Sequence, residues 1–135
     1  MQPVITLDVA IQQTRWIEPG ETCGYNSQWT ARRRTRLATL LAGYADGLPR
    51  TAGATDGRAG AEVMIGGRRC PLVGRVSMDL AAADITQLPA ESARAGDWAT
   101  LIGDGISVDE VAAVAGTVSY EVLTRLGGRA HRTYL

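Results

Sequence analysis

No lysine occurs in the 135 residues; all 14 basic side chains are arginine. Such a chain forms no lysine Schiff base with an aldehyde cofactor or a carbonyl substrate. Chemistry of that kind would need a lysine from another chain or from a segment outside this sequence. Histidine occurs once, at His131, with no cysteine or second histidine near it. That favours a structural or exposed residue over a metal ligand, and no metal site is expected. Two cysteines, Cys23 and Cys70, could pair but make no disulfide framework, so a reduced, cytoplasmic setting is the simpler expectation. Excess charge is missing too: 14 acidic residues balance the arginines. A neutral chain has no general pull toward nucleic acid or an anionic membrane. Its one basic run, ARRRTR at 31–36, lacks interleaved aromatics and reads as a solvated edge. No apolar run is long enough to cross a bilayer. The start, MQPVITLDVAIQQ, has no basic stretch followed by an apolar core, so no secretory signal is expected.

What is present suits one domain with a real core, since 45% of the residues are apolar. In VITLDVAI, residues 4–11, Ile5, Leu7, Val9 and Ile11 alternate with polar neighbours, which is strand periodicity. EPGE at 18–21 reads as a turn. RLATLLAG, 36–43, is apolar nearly throughout and suits a strand buried on both faces. The glycine-rich TAGATDGRAGA, 51–61, reads as a mobile loop. EVMIGGRRCPLVGRVSMDLAAADI reads as strand, a Gly66-Gly67 hairpin turn and further strand, with Pro71 marking a bulge or an edge. DWATLIG, 97–103, is another strand. SVDEVAAVAG, 107–116, is the one convincing helix, with a Ser107–Glu110 capping box and Gly116 as its stop. The tail reads as a short segment, a Gly-Gly turn and a last strand. The fold class is therefore mainly β with one short helix near 107–116.

Four places carry candidate chemistry. They are Tyr25 in CGYNSQW, Tyr44 with Arg50 in GYADGLPR, Arg75 with Met78 and Asp79 in GRVSMD, and Tyr120 in SYEV. Taken singly, each has a plain structural reading: a tyrosine after glycine caps a strand, and an aspartate in a turn bonds nearby backbone.

Taken in order, with PVITLDVAI, PGETCGYNSQWTA, RLATLLAGYADGLPR, GGRRCPLVGRVSMD, GDWATLIGDG and SYEVLTRL, the chain resembles the C-terminal domain of alanine racemase. That enzyme uses pyridoxal phosphate to interconvert L- and D-alanine, the latter for cell-wall peptidoglycan. The resemblance covers nearly the whole chain, and GYADG and GR-x-x-MD are its most specific blocks. It implies a small β-barrel-like or β-sandwich domain occupying 1–135, with the lysine-bearing (β/α)8 barrel absent from this chain. It also implies a homodimer in which this domain completes the site on the barrel of the other subunit.

Residue by residue, the resemblance makes Tyr25 the base that exchanges a proton with Cα of cofactor-bound L-alanine. A lysine of the larger barrel serves the D face. Two bases on opposite faces suit racemisation. A free tyrosine, with a pKa near 10, needs positive charge or hydrogen bonds around it to serve. Tyr44, Arg50, Arg75 and Asp79 match residues lining the substrate-access corridor. Met78 matches the position whose backbone faces the substrate carboxylate, and Tyr120 matches a tyrosine that reaches the cofactor phosphate. Trp29, Leu48, Ser77 and His131 depart from the commoner residues at their positions. The expectation is a domain of a longer enzyme, with Met1 an artificial start and no racemase activity on its own. The competing expectations are a non-catalytic binding or dimerisation module and, more weakly, a nucleic-acid-binding β barrel.

Overall fold

The computed structural model describes residues 6–24, 27–46, 48–49, 51–103, 106, 110–111 and 113. Eight strands lie among them. They are β1 (Leu7–Ile17), β2 (Thr22–Cys23), β3 (Trp29–Thr30), β4 (Thr35–Leu40), β5 (Glu62–Ile65), β6 (Arg68–Val73), β7 (Ala81–Asp84) and β8 (Trp98–Ile102). Six close into a barrel in the order β1-β4-β7-β6-β5-β8, and β2 and β3 form a separate two-stranded ribbon. Every strand pairing is antiparallel. The sequence left barrel and sandwich open; the closed ring of pairings decides for the barrel.

The first strand continues past residue 11 to Ile17, but its alternation does not, because a bulge intervenes. The β1–β4 register slips between Ile11 and Gln13, and an extra residue exchanges the two faces of a strand. Before the bulge Ile11 faces the barrel interior with Ala38 and Leu40. After it, Ile17 faces outward and packs with Leu37, Cys23, Ala31 and Val73. The β2–β3 ribbon covers this outer cluster, which explains why β4 is buried on both faces. Filling the interior are Leu40, Val63, Ile65, Leu72, Ala83 and Leu101, all at most 2% exposed. Each such Leu or Ile contributes about 1.5–3 kcal/mol of burial.

The Gly66-Gly67 hairpin joins β5 to β6 as expected, with Ile65 opposite Arg68. Pro71 does lie at an edge: it pairs with Glu62 on β5, but the ladder to β7 begins only at Leu72. A proline has no N–H for that side. The 51–61 segment departs from its expected mobility. Ala54 bridges Val73, Ala61 N donates to Ala52 O at 2.6 Å, and Gly74 N to Ala54 O at 2.7 Å. Its glycines serve close packing, since a Cβ on Gly53 or Gly60 would collide with the backbone of Gly74 or Ala54. Of the expected helix, Glu110, Val111 and Ala113 are described and helical; the rest of 107–116 and the expected last strand lie outside the described residues. Both carboxylate oxygens of Glu110 meet the Arg69 guanidinium, at 2.6 and 2.8 Å. Among the described residues no helix is long and apolar enough to cross a membrane.

Candidate functional site

Three segments singled out in the sequence meet at one end of the barrel. The first leaves β2 at Cys23-Gly24, the second leaves β4 at Ala42–Asp46, and the third leaves β6 at Gly74–Asp79. The first and third cross almost in backbone contact: a Cβ on Gly24 would lie 2.6 Å from Arg75 N and 2.7 Å from Gly74 Cα. Cys23 Sγ lies 3.8 Å from Val73 O at the same crossing. Burial pushes that thiol up from its ordinary range. The second and third are hydrogen-bonded edge to edge: Tyr44 N donates to Ser77 O and Ala45 N to Met78 O, each at 3.0 Å. Gly43 sits against the same two carbonyls, where any Cβ would collide.

Tyr44 opens a single 3-10 turn, Tyr44–Asp46, and is 41% exposed; Met78 is 52% exposed. Arg75 is half-buried and Asp79 exposed. Ser77 shapes the loop between them. Its hydroxyl donates to Leu80 O at 3.0 Å and accepts from Leu80 N at 3.1 Å, closing a tight turn around Met78 and Asp79. Met78 O is held by Ala45, whereas Met78 N–H donates to no acceptor among the described residues. The arrangement is an open, partly apolar surface on which the Met78 N–H has no acceptor among the described residues. Such a donor can receive a carboxylate oxygen.

Of the sequence candidates, the structure brings Tyr44, Arg75, Met78 and Asp79 into this one region. Tyr25, Arg50 and Tyr120 lie outside the described residues. Sequence reasoning passed over Asp46, whose carboxylate accepts Gly43 N–H at 3.0 Å, and gave Ser77 no part in shaping the site. It also passed over the glycines at the crossings. A signal existed: CGY, GYAD and GRVSMD each place a glycine directly before a candidate side chain.

Residues 4–134 match the family described as alanine racemase, C-terminal domain. The alanine racemase of Methylobacterium sp. (strain 4-46) is 54% identical over 135 residues, all of this chain and 36% of that protein. The crystal structure of biosynthetic alanine racemase from Pseudomonas aeruginosa superposes with a TM-score of 0.89 at 45% identity, covering 99% of this chain and 36% of that one. That of the Bartonella henselae enzyme with covalently bound pyridoxal phosphate gives 0.86 at 35% identity, covering 96% and 34%. The chain thus spans about a third of the length of these relatives. With a match over nearly its full length and relatives this similar, the chain belongs to the alanine racemase C-terminal domain family.

Proposed function

We propose that this chain forms one wall of an alanine racemase active site, the wall that admits L- or D-alanine and serves the L face of its Cα. The observation that carries the reading is the meeting of the GYAD and GRVSMD segments around an exposed Met78 whose N–H has no acceptor among the described residues. That donor receives the substrate carboxylate. Tyr44, Arg50, Arg75 and Asp79 line the approach and select a small zwitterion by size and charge. Tyr25 follows Gly24 in sequence; as phenolate it takes the Cα proton on the L face, and as phenol it returns one there.

Pyridoxal phosphate, when bound, supplies the electron sink that makes Cα acidic. The residues of this chain alone do not fit that cofactor. There is no lysine to bond it. Two cavities among the described residues, of about 50 and 190 Å³, are lined from Gly60–Glu62 and from Arg68–Pro71, with neither Tyr44 nor Met78 in their walls. A second, lysine-bearing domain has to hold the group, with Tyr120 donating one hydrogen bond to its phosphate. Leu41, Tyr44 and Met78, at 48%, 41% and 52% exposed, are apolar side chains that such a domain would cover. In the dimer this reading implies, that domain belongs to the other subunit.

The test joins this chain to the preceding part of the Methylobacterium sp. (strain 4-46) enzyme, in place of the matching residues. The chimera should exchange the α-hydrogen of both L- and D-alanine for deuterium. Tyr25→Phe should slow exchange from L-alanine by about 100-fold or more and spare D-alanine. A soluble, cofactor-loaded chimera without exchange would overturn the reading. Undiminished exchange from L-alanine in the variant would remove Tyr25 from its role.

A further inference from the structure

The two backbone bonds between the loops can be followed from one carboxylate. Asp46 Oδ2 accepts the Gly43 N–H at 3.0 Å, and Asp46 N–H donates to Gly43 O at 3.0 Å. The residue thus closes its turn in both directions. Gly43, so fixed, lies flat against the carbonyls of Ser77 and Met78. The next two amides, Tyr44 and Ala45, then donate to those carbonyls at 3.0 Å each. On the far side the Ser77 hydroxyl and amide both bond Leu80. In a trans peptide the C=O and N–H lie in one plane and point in opposite directions; none described here is cis. Holding Ser77 O toward Tyr44 therefore turns Met78 N–H away from the GYAD turn. That is the N–H without an acceptor among the described residues, on a residue 52% exposed.

We infer that Asp46 is a positioning residue for carboxylate recognition: it holds Gly43, and through the Tyr44–Ser77 hydrogen bond it sets the aim of the Met78 N–H. The inference rests on the reading that this end of the barrel forms the alanine site. Asp46 does not touch substrate in this scheme. Negative charge beside a carboxylate site does not help hold the ligand, so in this scheme Asp46 contributes the geometry of an acceptor and not its charge. Asparagine, which keeps an acceptor oxygen and loses the charge, should replace it; alanine should not.

Two readouts test this. In the isolated chain, amide hydrogen exchange followed by NMR should find Tyr44 and Ala45 protected. Asp46→Ala should remove that protection and leave the barrel amides of Leu40 and Ala83 unchanged. In the chimera, propionate, which is alanine without its amine, serves as the carboxylate probe. Its inhibition constant should rise about tenfold in Asp46→Ala, the scale of one lost hydrogen bond to a charged group, and stay near wild type in Asp46→Asn. Should Asp46→Ala unfold the barrel, Ser77→Ala loosens the loop from its other side and should weaken propionate likewise. Unchanged Tyr44 and Ala45 protection in Asp46→Ala would overturn the positioning role. So would tighter propionate binding in Asp46→Asn, which would make charge the operative property. An inactive wild-type chimera would overturn the racemase reading, and the carboxylate role with it; the amide readout would still judge the positioning.

Discussion

Gly24 and Gly20 separate two costs that are usually merged. Both have a positive φ, +88° and +92°. A side chain in that region costs about 1–2 kcal/mol. Their surroundings differ. A Cβ on Gly20 would meet nothing within 4 Å, whereas one on Gly24 would lie 2.6 to 2.8 Å from three backbone atoms of Gly74 and Arg75. Backbone cannot rotate aside as a flexible side chain can, and such overpacking costs about 1–3 kcal/mol more. Gly20→Ala should therefore lose about 1–2 kcal/mol and Gly24→Ala about 2–5 kcal/mol. Gly57→Ala, in open space with no positive φ, should be nearly neutral. Urea unfolding of the isolated chain reads all three. With a slope of about 1–2 kcal/mol per M, the extra cost of about 1–3 kcal/mol should put the Gly24 midpoint about 0.5–3 M below the Gly20 midpoint. Equal losses at Gly20 and Gly24 would refute the reasoning, because they would mean the two segments do not cross in contact. The site would then lose the contact that holds Gly24 against the Arg75 backbone.

Two further outcomes follow from the same structure. Asp56 accepts the Thr30 N–H and hydroxyl, both at 2.8 Å, and these bonds, the backbone one foremost, hold its carboxyl below the usual range. A lowered pKa gives stability that is complete above the unfolded value, about 3.9, and is lost as pH falls through the folded one. The destabilisation caused by Asp56→Ala should thus be constant from about pH 5 to 8 and shrink below about pH 4. A difference that is flat down to about pH 2 would contradict this. Burial pushes the Cys70 thiol up to about 11 and raises that of Cys23 as well. Both cysteines are buried and unpaired. A thiol-disulfide reagent at about pH 8 should leave the folded chain unlabelled and modify both cysteines in denaturant; prompt labelling of the folded chain would contradict the burial.

How much of this was legible in the sequence depended on whether the signal was periodic. The apolar run 36–43 announced a strand buried on both faces, and burial on β4 bears this out. Polar residues after Ile11 hid the rest of β1, because its bulge shifts the alternation at the point where Gln12 and Gln13 stand. The glycine-rich 51–61 misled for a different reason. Glycine signals a missing Cβ, and sequence does not say whether the space is used for motion or for another backbone. Here it is used for backbone at Gly53 and Gly60. Tyr44, Arg75, Met78 and Asp79 were found through motif resemblance, not through their own chemistry. Asp46 lay inside the quoted GYADG block yet was given no role of its own, since its hydrogen bond to Gly43 is local and the bonds that follow to Ser77 and Met78 link segments more than 30 positions apart.

The use of backbone at this end of the barrel has a functional logic. A side-chain donor for a carboxylate can rotate, and its lost freedom weakens each hydrogen bond it makes. A peptide N–H fixed by its own anchored carbonyl has no such freedom to lose. The contacts that fix it here are made by residues with little or no side-chain freedom: Gly43 against two carbonyls, Gly24 against Gly74, and a serine turn at 77–80. Tyr44 and Met78 then project from a rigid base while remaining exposed. Rigid placement without enclosure suits a wall that awaits a second surface, because the second surface can exclude water without having to order the first. On this view the barrel interior and the site are coupled through the strand ends. A cavity such as Leu40→Ala, two residues before Ala42 in the core, should therefore lower the amide protection of Tyr44 and Ala45 in hydrogen exchange, and unchanged protection there would show that core and turn are uncoupled.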